Sequence, residues 1–151
     1  VPARHSHVPG IVEVWKEFMD FHKNIDYRFP MGESAPLSNE QHLLDLLKSE
    51  DACVLVALEG DRVCAYSISL VSKYPPVFQR ETYGVISDMA VRADLRRKGI
   101  GEMMLRNILE LFASRNIDVI ELSVVSKNQI AYSFWKKHGF EDYMYRLVRK
   151  K

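Results

Sequence analysis

Between Val91 and Gly101 the chain reads Val-Arg-Ala-Asp-Leu-Arg-Arg-Lys-Gly-Ile-Gly. Three consecutive bases, Arg96, Arg97 and Lys98, run into two glycines spaced one residue apart, Gly99 and Gly101. This pattern predicts a strand end, a basic turn and a helix start. The first backbone N–H groups of a helix lack internal partners and carry the positive end of its dipole. Glycines let a ligand's oxygens approach that backbone closely. The segment is an anion seat, and a diphosphate is its natural occupant. The Walker spacing is absent, and the third glycine of a dinucleotide fingerprint would fall on Met104. A basic helix start that holds no ligand is the plain alternative.

The flanking segments must position that turn. Pro9 to about Lys23 carries Ile11, Val14, Trp15, Phe18 and Phe21 on one stripe and predicts a helix with Pro9 in its first turn. Pro30, Gly32 and Pro36 break the chain into a loop. Ser38 opens a second helix to about Lys48, with Gln41 as capping-box partner. Ala52 to Leu58 and Arg62 to Val71 read as strands joined at Glu59-Gly60-Asp61-Arg62. Pairing Glu59 with Arg62 sets Cys64 against Ala57 and Cys53 against Ile68, too far apart for a disulfide. Both thiols read as inert core groups, and the hairpin's two apolar faces imply a sheet covered on both sides.

Lys73 to Arg80, containing Pro75-Pro76, reads as a loop; Tyr74 and Phe78 make it a candidate lid, with a long hairpin connection as the alternative. Thr82 to Val91 predicts a strand. Gly99 to about Arg115 predicts a helix striped by Ile100, Met104, Ile108, Leu111 and Phe112. Asp118 to Val125 predicts another strand. Ser126 is expected to cap a helix from about Asn128 to His138, ended by Gly139. Tyr143 to Val148 reads as a last strand. The order (β)ααβββαβαβ requires a parallel crossover in a mixed sheet, an α/β (α+β) fold class.

Composition narrows the function classes. The chain has 151 residues, read as one domain over 1–151, and 47% hydrophobic content excludes general disorder. Its 21 basic and 20 acidic residues leave a net charge of +1, so no global basic field marks a nucleic-acid partner. The longest apolar run, Ala52 to Leu58, is far short of the ~20 residues of a membrane span. The start, VPARHSHVPG, lacks the apolar region of a secretory signal. The first residue is Val, so loss of part of the N-terminus, and of the start of a first strand, is expected. The expected class is a cytoplasmic globular domain. His5-x-His7 has no companion ligand cluster and reads as a terminus, not a metal site. Arg149-Lys150-Lys151 reads as a solvated tail.

Arg96-x-x-Gly99-x-Gly101, after a strand ending Asp88-Met89-Ala90-Val91, resembles the acyl-CoA motif of the GNAT N-acetyltransferase superfamily. Asn128-x-x-Ala131-x-x-Phe134-Trp135-x-x-x-Gly139-Phe140 resembles that superfamily's motif B, and the element order matches over nearly the whole chain. The resemblance implies the acyl-CoA N-acyltransferase fold. That is a mixed, mostly antiparallel sheet with a central splayed parallel pair, flanked by about four helices. It also implies acetyl-CoA as cofactor, coenzyme A as product, and acetyl transfer to a primary amine of a small molecule or protein. The backbone of Met89, Ala90 and Val91 would bond the pantetheine arm as an added strand. The N–H groups of Arg97, Lys98, Gly99, Ile100, Gly101 and Glu102, with Arg96 beside them, would hold the diphosphate. Asn128 would bond pantetheine through its amide, and Trp135 would pack against the cofactor. The thioester would lie where the strands carrying Val91 and Val124 diverge. Valine at Gly101 is expected to occupy the phosphate position.

The resemblance implies direct transfer from thioester to amine, which needs a proton acceptor, because an amine of pKa near ~10.4 is mostly protonated at neutral pH. Asp88 is the first candidate for base or amine anchor, with Glu121 on the neighbouring strand second and a purely structural hydrogen bond as the alternative. Strict alternation turns Asp88 away from the face of Ser87 and Met89, and a bulge there would change this. The superfamily often places a Tyr hydroxyl near the sulfur; the matching position here is Trp135, whose indole cannot protonate a thiolate. Tyr132, three residues earlier on nearly the same helix face, is the substitute candidate, with packing against core or cofactor as its other role. His22, Asp26, Tyr27 and Phe29 fall where the superfamily forms a wall of the acceptor pocket, and they could equally serve as surface and capping residues. A non-catalytic acyl-CoA-binding or sensing domain is the alternative function, favoured by Trp135. A nucleotide-binding module on the same anion seat is a third reading. Neither nucleic acid nor membrane is expected as a partner, and a homodimer is compatible with the resemblance.

Overall fold

The computed structural model describes residues 1–28, 32 and 34–151. After a short 3-10 turn at His5–His7, the elements are α1 (Val8–His22), α2 (Ala35–Lys48), β1 (Ala52–Glu59), β2 (Arg62–Lys73), β3 (Thr82–Val91), α3 (Ile100–Ser114), β4 (Ile120–Glu121) and α4 (Gln129–Lys137). The strands form one sheet in the order β1-β2-β3-β4. Both β1–β2 and β2–β3 are antiparallel, and β3–β4 is parallel. The crossover required by the element order is therefore β3–α3–β4.

The apolar stripes explain the layering. Val8, Ile11 and Val14 of α1 and Leu43 of α2 pack on Val54, Val56, Val63, Tyr66 and Ile68, filling one face of the sheet. Leu105, Ile108 and Phe112 of α3 pack with Ile117 and Ile86 on the other face, joined at the edge by Phe134, Trp135 and Phe140. Ile108 and Phe112 are fully buried, each contributing about 1.5–3 kcal/mol by area. At Gly84 a Cβ would lie 2.7 Å from the Phe112 ring, so glycine there lets α3 approach β3.

Two bulges set which side chains face which layer. Leu58 pairs with Val63, but Ala57 pairs with Ala65, which leaves Cys64 as the extra residue. The expected register therefore holds only at the turn: Cys53 faces Ser69 and Val54 faces Ile68, and both cysteines are free thiols. In the second bulge Ile68 pairs with Asp88 while Ser69 pairs with Ile86, leaving Ser87 extra. The bulge reverses the alternation of β3. Ile86 and Met89 share the α3 layer, whereas Ala90 joins the α1–α2 layer.

Several expected boundaries shift. The second helix begins at Ala35, with Pro36 in its first turn, so Ser38 is internal and Gln41 donates to Asp45 instead of closing a cap. Asn128, not Ser126, caps α4 by accepting from the Ala131 N–H. The strand expected over Asp118 to Val125 shrinks to Ile120–Glu121. The last expected strand is corrected outright: Tyr143 to Val148 is exposed and has no ladder partner among the described residues, where β4 is the outermost strand. Pro30 and Phe29 lie outside the described residues. No helix among the described residues is long and apolar enough to cross a membrane.

Candidate active site

Strand β3 carries the centre of the candidate site. On one side Met89, Ala90 and Val91 pair with Ser67, Tyr66 and Ala65. On the other, β4 pairs only with Gly84 and Val85. From Ile86 to Val91 that edge of β3 has no strand partner among the described residues. The two parallel strands part company there, and an open row of main-chain donors and acceptors faces the gap.

The strand with the open edge leads, through Arg92 to Lys98, into the turn expected to seat an anion. Gly99 has φ +80°, a left-handed conformation suited to glycine, and Arg97 shares that region at φ 64°. Helix α3 starts at Ile100 with no side-chain cap, so its first amides retain the orphan donors of a helix start. Arg96, Arg97 and Lys98 are exposed around it. A Cβ at Gly99 would meet nothing within 4 Å, so its direction is open space. At Gly101 a Cβ would sit 3.5 Å from the Phe134 ring and 3.8 Å from Met89 Cε. The expectation for Gly101 is thereby corrected: its missing side chain faces the α4 layer, and Gly99 is the glycine that faces outward. Ile100 is half-buried. The Glu102 side chain is turned to α4, where Lys137 at 3.1 Å and His138 at 3.4 Å hold its carboxyl below the usual range.

A clamp fixes this loop to α1. Arg92, 8% exposed, donates Nε to the Val63 carbonyl at 2.6 Å and Nη2 to Glu13 Oε2 at 2.7 Å. The next amide, Ala93 N–H, donates to Glu17 Oε2 at 3.0 Å. The Arg92 guanidinium holds the Glu13 carboxyl below its ordinary value.

Asp88 lies on the half-buried part of β3, one residue past the bulge. Its Oδ2 accepts from the Tyr66 hydroxyl at 3.0 Å and its Oδ1 from Ser87 Oγ at 3.1 Å. Tyr66 is almost fully buried. Burial first, and then the negative charge of Asp88, push its phenol well above an ordinary tyrosine. A phenol raised in this way donates to Asp88 at neutral pH. Glu121 is half-buried on β4, paired in register with Val85.

On the other side of the gap, Asn128 is buried at the start of α4, its Oδ1 used in the cap. Its Nδ2 lies 3.4 Å from Nε2 of His22, a buried residue at the end of α1. Buried Asp26 is bracketed by Arg28, whose Nη2 reaches Oδ2 at 2.6 Å and holds that carboxyl below its usual range. Tyr27 is exposed, with Lys150 Nζ 5.0 Å above its ring. The Tyr132 hydroxyl donates to Asp142 at 2.8 Å, a bond that raises its pKa. Trp135 packs edge-on against Phe134 and Phe140 within the α3 layer. Tyr74 and Phe78 of the candidate lid pack with each other, and Tyr74 also stacks on Tyr83, at the far end of β3 from Val91.

The sequence from residue 12 to 140 matches the model of the acetyltransferase (GNAT) family. The chain belongs to the GNAT family. The tetramutant of the Bacillus halodurans protein BH1408 has the same fold with a TM-score of 0.90 at 22% identity, over 100% of this chain and 98% of that one. An aminoglycoside antibiotic 6'-N-acetyltransferase from Acinetobacter haemolyticus, in its apo form, superposes with a TM-score of 0.78 at 16% identity, over 100% and 96% of the two chains. A predicted acetyltransferase from Clostridium acetobutylicum, solved with acetyl-CoA, gives a TM-score of 0.78 at 20% identity, over 99% and 94%. At such identities the likeness speaks to the fold. No curated protein matches the chain.

Within this GNAT fold, three residues that spacing did not single out take structural parts in the site. Tyr66 looks like an ordinary β2 aromatic; only the Ser87 bulge brings Asp88 to its hydroxyl. Glu13 and Glu17 look like the solvated face of α1, yet they grip Arg92 and Ala93. The four-residue spacing of the two acids was the available signal, since it sets them on one helix face.

Proposed function

We propose that this chain transfers an acetyl group from acetyl-CoA directly to a primary amine of a small molecule or protein. One observation carries the reading: the open edge of β3 from Ile86 to Val91 leads straight into an uncapped helix start with a left-handed Gly99. An extended amide-bearing arm fits the first, and a diphosphate fits the second. When bound, acetyl-CoA supplies an acyl group already activated as a thioester.

The chain's own residues supply the rest. Main-chain groups of Met89, Ala90 and Val91 hold the arm, and the amides from Arg97 to Glu102 hold the diphosphate, with Arg96 adding charge. Asn128 has a second amide N–H with no partner among the described residues, a buried donor suited to a pantetheine carbonyl. Asp88 anchors the incoming ammonium and accepts its proton, its carboxylate held by Tyr66 and Ser87. The wall formed by the end of α1, with Asp26 and Tyr27, faces the acceptor. Tyr132 reaches the departing sulfur only by releasing Asp142.

That commitment of Tyr132, with Trp135 at the usual acid position, favours a second reading, an acyl-CoA sensor without turnover. A screen of free-thiol release from acetyl-CoA with a mixed panel of amines separates the two. Release with at least one amine supports transfer. Binding with no release on any amine supports the sensor. Displacement of bound acetyl-CoA by ATP as effectively as by CoA would instead indicate a nucleotide module.

A further inference from the structure

His22 and Asn128 stand 106 residues apart in sequence, on the acceptor-side helix and at the start of α4, yet both are buried and in contact. Their hydrogen-bond partners determine each other's orientation. His22 Nδ1 lies 3.0 Å from the Phe18 carbonyl oxygen, which can only accept, so Nδ1 carries a proton. Asn128 Oδ1 accepts from the Ala131 N–H at 3.1 Å, which fixes the amide and turns its Nδ2 toward His22. Nδ2 can only donate, so His22 Nε2 is the acceptor. A ring protonated on Nδ1, with Nε2 accepting, satisfies both of these contacts. The ring is further held by Phe18, with centroids 4.1 Å apart, and by Phe21 edge-on at 5.1 Å.

We propose that His22 is a positioning residue for the cofactor rather than a contact for the acceptor. Its Nε2 accepts a hydrogen bond from one N–H of the Asn128 amide, which aims the other N–H at the arm of the bound acyl donor. The inference rests on the preceding reading, in which Asn128 bonds pantetheine. It makes the end of α1 part of the cofactor's support, so that one buried contact joins the two substrate sides.

The test combines calorimetry of acetyl-CoA binding, steady-state kinetics and 15N NMR of the imidazole. In the free protein the NMR should show the His22 proton on Nδ1, with Nε2 as hydrogen-bond acceptor; the opposite tautomer would overturn the proposal without touching acetyl transfer. His22→Phe should weaken acetyl-CoA binding roughly 5-fold, the size of one lost net hydrogen bond, and raise KM for acetyl-CoA without a matching loss of kcat. His22→Gln keeps an acceptor and should restore most of the affinity. In an Asn128→Ala background, His22→Phe should have no further effect on affinity. Additive losses, or a KM change for the amine alone, would contradict the proposal. If His22→Phe does not fold by thermal melt, the tautomer and the Gln variant still decide. Failure of the wild-type protein to bind acetyl-CoA at all would overturn the broader reading instead.

Discussion

The Tyr66 hydroxyl donates to Asp88 Oδ2 at 3.0 Å, from a ring that is 1% exposed. A buried phenol thus holds the only carboxylate that the Ser87 bulge turns toward the α1–α2 layer within the second half of β3. In this arrangement Asp88→Asn should lower turnover about 100-fold, within the range of general-base loss, while acetyl-CoA affinity stays near wild type. Tyr66→Phe should follow in the same direction by roughly 10-fold, because it frees the carboxylate to rotate. Equal losses in turnover and affinity, measured by kinetics beside calorimetry, would remove Asp88 from the chemistry.

The two glycines of the basic turn should behave differently. Gly99 has a left-handed φ of +80° and faces open space, whereas a Cβ at Gly101 would meet only ordinary contacts. Gly99→Ala should therefore weaken CoA binding at least ~10-fold, combining backbone strain of about 1–2 kcal/mol with a methyl group in the space proposed for the diphosphate. Gly101→Ala should bind nearly as well as wild type. Calorimetry of both variants checks this, and the reverse order would mean that the diphosphate lies elsewhere.

Much of this was legible in the sequence because local rules dominate there. The α3 stripe, the basic turn and the two glycines appear where spacing sets them. What escaped depends on register, which spacing does not reveal. Each extra residue, at Cys64 and at Ser87, moves every following side chain to the other face, and it took the second to join Asp88 with Tyr66. Tyr143 to Val148 alternates like a strand but pairs with no strand among the described residues, and alternation alone does not make a strand.

The Arg92 clamp should matter to stability as well as to binding. Arg92→Ala strands the Val63 carbonyl and releases Glu13 and should cost about 2 kcal/mol, the Glu13 share being small because that carboxylate is largely exposed. Urea unfolding measures the loss. The same variant should weaken acetyl-CoA binding, since the turn it anchors leads to the proposed anion seat.

Acid should selectively remove one contribution. The Arg28 hydrogen bond lowers the Asp26 pKa from its ordinary 3.8, so the folded state binds this proton less readily than the unfolded chain does. The stabilisation is complete above that ordinary value and fades as pH falls through the lower folded value. Wild type should exceed Asp26→Asn in urea midpoint at pH 6, and the difference should shrink below about pH 4. A difference that is constant with pH would show that the charge of Asp26 contributes nothing.

The most direct test is a crystal structure of the chain with acetyl-CoA. The expected result is the pantetheine arm bonded to the main chain of Met89 to Val91, with the diphosphate on the amides from Arg97 to Glu102. A donor bound at another surface, leaving the open edge of β3 and the start of α3 without it, would contradict the account.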